Sequence, residues 1–176
     1  GDIREPFIQL IHYDGSYTSD FLFFNSIIRN GKKPLETLPS SYASKHDVDE
    51  LTIFLRDADY DLTLELHYYV FEKQDIISRS AKLINTSEYP ITLKRLMSMQ
   101  VDFETSDWKL TTFHGAWARE MKRFDVPIVA GKVVNETVCG CSSNRSNPFI
   151  MLSKEETSED LGTCYGFNLI YSGNHY

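Results

Sequence analysis

Two runs of alternating residues decide the fold of this chain: DELTIFLR at residues 49–56 and DLTLELHYYVF at residues 61–71. Apolar side chains occupy every second position of both runs, and this period of two is typical of a half-buried β-strand. The four residues between the runs, 57–60, are short and mostly polar. The sequence therefore predicts an antiparallel hairpin at the centre of the fold.

Further strands are predicted on both sides of this hairpin, with turn residues between them. They are residues 6–13 and 21–28, paired as a hairpin around Asp14–Gly15, then 76–84, 91–103 with a bulge near 95–96, 108–113, 149–152 and 163–172. Strands at this spacing predict an all-β fold built as a sandwich of antiparallel sheets. Two segments depart from the pattern. Residues 32–46 are expected to wrap the surface, and the long, weakly patterned stretch 124–147 is predicted to be a functional loop.

Composition excludes several classes of function. The 176 residues are 41% hydrophobic and 13% aromatic and carry a net charge of −7, which argues against nucleic acid or an anionic membrane as a partner. No apolar run reaches the length of a membrane span, and the charged first residues do not resemble a secretory signal. We expect the three cysteines, Cys139, Cys141 and Cys164, to be reduced thiols packed as small hydrophobic groups.

The residues alone predict no catalytic, metal or cofactor site. A retaining glycosidase needs two carboxylates about 5 Å apart, and no Asp or Glu stands in a recognisable catalytic context. The histidines are scattered singly. His67 alternates with strand residues and is interpreted as an ordinary face position, whereas His114 lies inside a distinctive run.

Three runs are not required by strand alternation. They are FHGAWARE at residues 113–120, SSNRSNPF at 142–149 and YGFNLIYSGNH at 165–175. Each combines aromatic, glycine and polar residues in a short stretch. Together they carry most of the functional information that the sequence holds.

With GDIREP at residues 1–6, YVFE at 69–72 and DIISRS at 75–80, these runs follow one order along the chain. In that order the sequence resembles the N-terminal domain of bacterial α-galactosidases of glycoside hydrolase family 36. The opening segment is similar to the family's G-D-[FI]-R-E-P. One departure is SSNRSNPF, where many members have S-S-H-Q-x-N-P-F.

The resemblance implies an antiparallel β-supersandwich of the galactose-mutarotase-like type. It implies that residues 1–176 form a single, partial N-terminal domain, and that both catalytic aspartates belong to a barrel that this chain lacks. The parent enzyme is then a cytoplasmic, often tetrameric hydrolase that cleaves terminal α-galactosides such as raffinose and melibiose with retention. The chain alone is expected to be inactive and to need no cofactor.

The resemblance also implies roles for individual residues. In the family, loops of this domain help to shape a neighbouring subunit's active site, so Asp2 is expected to accept hydrogen bonds from sugar hydroxyls. Arg4 would orient Asp2 or contact the sugar; the other interpretation is that Arg4 pairs with Glu5 at a strand start. A set of structural or interface residues is also expected: His114, Trp117, Arg119 and Asn147. The other interpretation of Trp117 and Arg119 is that the indole stacks on a sugar face and the guanidinium binds a carboxylate.

Two other functions remain open at this point. One is a free-standing carbohydrate-binding module, which would need exposed aromatic side chains. The other is a mutarotase-like epimerase, which would need a His acid and a Glu base in one cleft. Similarity of fold alone does not decide between them.

Overall fold

The computed structural model describes residues 5–44, 46–142, 145–171 and 173–176. The described residues form two compact units. The first combines residues up to Pro34 with those from Ser41 to Val101, and the second combines Leu35–Ser40 with those from Asp102 to Tyr176. None of the described segments is a helix of the length and apolarity that crossing a membrane requires.

Regular structure in the described residues is almost entirely β-strand, and every strand pair is antiparallel. This confirms the all-β fold class. The strands are β1 Ile8–Ile11, β2 Leu22–Asn30, β3 Asp49–Asp57, β4 Leu62–Phe71, β5 Ile76–Asn85, β6 Thr92–Leu96, β7 Lys109–His114, β8 Lys122–Pro127, β9 Ser146–Ser153 and β10 Cys164–Asn168. A 3₁₀ turn, Glu72–Gln74, joins β4 to β5.

The central sheet of the first unit has the order β2–β3–β4–β5. Strands β3 and β4 form the predicted hairpin, and their register places Leu55 opposite Leu64 and Thr52 opposite His67. Asp61, with a φ of 51°, closes the turn between them. Because side chains alternate along a strand, this register places the leucines on one face and the polar residues on the other.

The buried core of the first unit lies where the ends of β3 and β4 meet. Val48, Tyr69 and Phe71 form a buried cluster, and Ala43 of the surface-wrapping segment packs against it. Leu62 and Leu64 are also fully buried. The 32–46 segment is irregular wherever it is described, as its composition predicts.

The predicted hairpin between residues 6–13 and 21–28 is wrong. The turn at Gly15 closes locally, with the Gly15 N–H donating to the carbonyl of His12 at 3.0 Å, and the ten residues that follow β1 let the two strands diverge. Strand β1 pairs with β6 in a separate two-stranded sheet. The register there moves from Gln9–Arg95 to Leu10–Leu93, so the predicted bulge exists and its extra residue is Lys94.

The second unit contains one sheet of order β10–β9–β7–β8. Strand β8 begins two residues after the motif run at 113–120 and extends into the stretch 124–147 that was predicted to be a loop, so that prediction is wrong for residues 124–127. The predicted strand 91–103 is also too long, because regular pairing ends at Leu96. The cysteines are free but all three are exposed, which corrects the expectation that they pack as hydrophobic groups.

Candidate functional site

The connection from β7 to β8 is a tight, hydrogen-bonded turn. The backbone N–H of Arg119 donates to the carbonyl of Ala116 at 2.9 Å, and the N–H of Ala116 donates back to the carbonyl of Arg119 at 3.3 Å. Ala118 and Met121 have φ values of 59° and 56°, a region that non-glycine residues rarely occupy. Such backbone strain persists only where surrounding contacts hold the conformation, and it is frequent at functional sites.

Trp117 stands at the tip of this turn and is 90% exposed. The turn beneath it is held by the N–H of Ala118, which donates to the Glu120 carboxylate at 2.8 Å. An indole in this position adds nothing to the core of its own unit. Exposed Trp side chains are strongly enriched where a protein contacts another molecule, because the ring offers a large apolar area at low entropic cost.

His114 connects the end of β7 to the segment that precedes β9. Its Nδ1 lies 3.0 Å from the carbonyl oxygen of Arg145, and its Nε2 lies 2.8 Å from the hydroxyl of Thr112. Since a carbonyl only accepts, Nδ1 carries the proton and donates, and Nε2 accepts from Thr112. The ring also meets the edge of Phe124 at a centroid distance of 5.2 Å. Both ring nitrogens therefore have partners within the chain, and they fix the end of β7 against the segment that precedes β9.

Asn147 ties the long segment between β8 and β9 to the sheet. Its side-chain oxygen accepts from the N–H of Phe149 at 2.9 Å, and its main-chain carbonyl accepts from the amide of Asn135 at 2.7 Å. The hydroxyl of Ser146 donates to the same Asn135 side chain at 2.7 Å. Asn147 lies one residue inside β9, whereas the sequence placed it just before the strand.

These four residues occupy one region of the second unit. His114, Trp117 and Arg119 are on or beside the β7–β8 turn, and the side-chain amide of Asn147 reaches the sulfur of Met121 at 3.5 Å, at the end of that turn. The arrangement presents one aromatic side chain on a fixed base. It supplies no nucleophile and no acid–base pair.

Asp2 and Arg4, the expected sugar-facing residues, lie outside the described residues. Glu5 is described, and its carboxylate lies 3.6 Å from the guanidinium of Arg95 on β6. The pairing of Arg4 with Glu5 thus remains one of two interpretations, and the sugar-binding role stays a prediction.

A second cluster, on the polar face of β3 and β4, was missed by the interpretation of His67 as an ordinary face position. Its Nδ1 lies 2.9 Å from the Glu50 carboxylate, and its Nε2 lies 3.2 Å from that of Glu65. The buried Thr52 hydroxyl donates to Glu50 at 3.1 Å. The Lys82 ammonium lies 3.9 Å from Glu65. The hairpin register, which pairs Thr52 with His67, could have revealed this convergence.

Burial dominates the electrostatics around this cluster. It raises the pKa of Tyr69, and the nearby Glu50 carboxylate raises it further. Burial also lowers the pKa of Lys32, against the opposing attraction of Glu50. The Lys32 ammonium lies over the Tyr69 ring, 4.7 Å from its centroid.

The cluster brings together the His and Glu that epimerase chemistry would need. However, both nitrogens of His67 are occupied by carboxylates of the chain itself, and the side chains of His67, Glu50 and Glu65 are only 17%, 11% and 16% exposed. The geometry is that of a structural network. Within the part of the chain that is described, no three His, Cys, Asp or Glu side chains are arranged to hold a metal ion.

Comparison with known proteins finds similarity along the whole chain. Residues 1–176 match the model of the glycosyl hydrolase family 36 N-terminal domain. The α-galactosidase AgaA of Geobacillus stearothermophilus is 37% identical over 98% of this chain, and the bifunctional α-galactosidase/sucrose kinase AgaSK of Mediterraneibacter gnavus is 32% identical over 99%. The chain spans only 24% of the length of AgaA and 19% of that of AgaSK.

Solved structures indicate the same family. The crystal structure of AgaA superposes with a TM-score of 0.95 over 98% of this chain and 24% of its own. Variants of that enzyme have been crystallised with raffinose and with stachyose. The α-galactosidase of Lactobacillus brevis, at 34% identity, also gives a TM-score of 0.95 and covers 99% of this chain and 24% of its own. By sequence and by fold, this chain belongs to the N-terminal domain family of glycoside hydrolase family 36.

Proposed function

We propose that this chain is the non-catalytic N-terminal domain of a retaining α-galactosidase that hydrolyses terminal α-D-galactosides of the raffinose and melibiose type. The family match over residues 1–176 supports the proposal. So do the complexes of AgaA variants with raffinose and stachyose, in enzymes about four times as long as this chain. Both catalytic aspartates are then supplied by a barrel outside the domain.

The family match carries the proposal, and the exposed indole of Trp117 is the structural observation that supports a contact between this domain and the rest of the parent enzyme. A 90% exposed Trp on a strained, hydrogen-bonded turn is costly to keep in contact with water and contributes nothing to its own unit. We therefore assign it a contact with the rest of the parent enzyme. His114, Arg119 and Asn147 hold the base of that contact, so they act as structural and interface residues.

Three further parts of the proposal follow from the family. Asp2 accepts hydrogen bonds from sugar hydroxyls in a neighbouring subunit's active site, and Arg4 orients Asp2 or contacts the sugar. The parent enzyme is a homo-oligomer, expected to be a tetramer, whose assembly this domain supports. It acts in the cytoplasm, on galactosides that have entered the cell.

A domain-exchange experiment tests the proposal. This chain replaces the corresponding residues of AgaA, and hydrolysis of a chromogenic α-galactoside is compared for the chimera, the chain alone and their variants. We expect an active chimera and an inactive isolated chain. Trp117→Ala should lower the activity of the chimera, whereas Tyr42→Ala, which removes an equally exposed aromatic (92%), should not.

The same variants separate the alternative, a free-standing carbohydrate-binding module. The exposed Trp117 could stack on a sugar ring, and its fluorescence would then change when galactose or raffinose is titrated into the isolated chain. Sugar binding by the chain alone, abolished by Trp117→Ala and accompanied by an inactive chimera, would favour the module over the enzyme domain.

A further inference from the structure

Three turns of the first unit carry tyrosines whose rings contact one another. Tyr13 follows β1, Tyr60 lies between β3 and β4, and Tyr89 lies between β5 and β6. The rings of Tyr13 and Tyr89 stack with their centroids 4.2 Å apart and their planes at 21°. Tyr13 and Tyr60 meet edge to face at a centroid distance of 6.3 Å. The three turns therefore meet in one tyrosine cluster, formed by Tyr13, Tyr60 and Tyr89.

The tyrosine cluster is anchored at one end and open at the other. The buried ring of His12 stacks on Tyr60, with the two centroids 3.5 Å apart. By contrast, Tyr13 and Tyr89 are 56% and 53% exposed. One face of the Tyr89 ring lies on Tyr13, so this exposure leaves the other face of the ring open. The cluster thus presents a flat aromatic surface that contacts within the chain hold in place.

The backbone of the turn that carries Tyr89 is also fixed. The Asn85 side-chain amide donates to the carbonyl of Tyr89 at 2.8 Å, and the Tyr89 N–H donates to the hydroxyl of Ser87 at 3.3 Å. Pro90 follows, and a proline restricts the residue before it to extended conformations. A ring held in this way loses little freedom when it binds a ligand, which favours affinity.

A carboxylate lies at the margin of the tyrosine cluster. Asp14 directly follows Tyr13, and its Oδ2 accepts from the Tyr60 hydroxyl at 3.0 Å, while its Oδ1 accepts from the Ser16 N–H at 2.9 Å. The Ser16 N–H lowers the pKa of Asp14, and the Tyr60 hydroxyl lowers it further, so the group is ionised at neutral pH. A carboxylate has about four acceptor positions, so Asp14 can accept from further hydroxyl donors while it keeps these contacts.

An open aromatic face beside a carboxylate suits a sugar ring. The C–H groups of one sugar face pack on the aromatic ring, and hydroxyl groups at the sugar's edge donate to the carboxylate. In galactose the axial hydroxyl leaves one face of the ring apolar. We propose that Tyr13, Tyr89 and Asp14 form a binding site for a terminal galactosyl unit. The choice of this sugar rests on the proposed function.

The acidic residues of the same turns favour a small neutral ligand over a protein partner. Asp14, Asp59, Asp61 and Glu88 are all exposed around the cluster. Aspartate and glutamate are depleted from the cores of protein interfaces, so a surface of this composition suits water and hydroxyl groups better than another protein. The same charges repel anions, which disfavours a phosphorylated ligand.

Titration of methyl α-D-galactopyranoside into the isotope-labelled 176-residue chain, followed by amide NMR spectra, tests the site. We expect a Kd of about 1–10 mM, as for a single sugar on a preformed surface. The shifted amides should be those of residues 12–16, 59–61 and 85–89. The glucoside epimer should bind at least about threefold more weakly, because its equatorial hydroxyl changes the contact with the ring and the carboxylate.

Variants separate stacking from other effects. Tyr89→Ala should weaken binding by about tenfold or more, whereas Tyr89→Phe keeps the aromatic face and should stay within about twofold of wild type. Asp14→Asn keeps the size of the side chain but removes its charge, and should weaken binding about fivefold. Tyr42→Ala and Trp117→Ala are the controls, since they remove exposed aromatic side chains outside the cluster and should leave the Kd unchanged.

The inference is overturned if no amide of the cluster shifts at about 50 mM galactoside, if the shifts lie around Trp117 instead, or if the folded Tyr89→Ala chain binds like wild type. Equal binding of the glucoside would refute the galactosyl assignment, and tighter binding of choline would assign the cluster to organic cations. The titration uses the chain alone, so its outcome is distinguishable from that of the chimera. An active chimera without binding here refutes only this inference, and binding with an inactive chimera refutes only the proposed function.

Discussion

Replacing His67 by Phe should destabilise the first unit, because it removes the centre of the Glu50–His67–Glu65 network. An aromatic ring is kept, but the Glu50 carboxylate loses its 2.9 Å partner and Glu65 loses its 3.2 Å partner. Glu50 then retains the Thr52 hydroxyl, and Glu65 retains the more distant Lys82.

The size of the effect follows from the burial of these groups. Leaving one member of a fully buried pair without its partner costs about 3–5 kcal/mol, and losing a hydrogen bond to a charged group costs about 1.5–3 kcal/mol. Because the Glu50 and Glu65 side chains keep 11% and 16% of their exposure, water can solvate them in part. We therefore expect His67→Phe to lower the free energy of unfolding by about 2–3 kcal/mol.

Thr52→Val is the matched control within the same network. It keeps the β-branched shape and removes the hydroxyl that donates to the Glu50 carboxylate, but His67 stays in contact with Glu50, so the cost should be about 1.5 kcal/mol, the lower end for a hydrogen bond to a charged group. The Thr52 hydroxyl also lies 3.2 Å from Nδ1 of His67, so the two changes should be coupled by more than about 0.5 kcal/mol in a double-mutant cycle.

Urea unfolding followed by far-UV circular dichroism measures these differences. With an m value of about 2 kcal/mol/M, a loss of 2–3 kcal/mol lowers the midpoint by about 1–1.5 M. Both tryptophans, Trp108 and Trp117, are in the second unit, so their fluorescence is an independent record of that unit. A His67→Phe midpoint within about 0.2 M of wild type would show that the network contributes almost nothing, and would refute the reasoning.

Three other outcomes are expected. Lys154 lowers the pKa of Asp107 to about 2, so this pair stabilises the chain above pH 4 and its contribution is lost as the pH falls towards 2; Asp107→Asn should remove that part of the acid dependence in a pH series of thermal melts. Gly162→Ala should cost at least about 2 kcal/mol by urea unfolding, because φ is +109° and the added Cβ would lie 2.7 Å from the backbone of Thr157; an unchanged midpoint would contradict this. Trp117→Ala should change the stability of the isolated chain by less than about 0.5 kcal/mol, since the indole is exposed, and a larger loss would mean that it packs within the chain.

The sequence was most informative where a regular pattern met a short turn. Alternation at residues 49–56 and 61–71 predicted β3 and β4 to within one residue, because a half-buried strand needs an apolar residue at every second position. The ordered motifs predicted the family. Local patterns of this kind depend on a few neighbouring residues, so they can be recognised in the sequence without knowing the tertiary structure.

Strand partners were less predictable. Strand β1 pairs with β6, about 85 residues away along the chain. The local turn at Gly15 instead indicated a hairpin between β1 and β2. Strand β8 was missed because Lys122–Pro127 is short and alternates apolar residues only at Phe124 and Val126, a pattern too brief to stand out from the weakly patterned stretch that follows. An edge strand can form from such a sequence because its neighbour supplies half of its hydrogen bonds.

The sequence by itself determined the fold class, the central hairpin and the family. Only the tertiary structure decided which side chains meet: His67 between Glu50 and Glu65, and Trp117 exposed on its turn. The physical reason is that alternation specifies which face a residue takes, whereas contacts across strands depend on register and on pairing between distant segments. Those are properties of the folded chain as a whole.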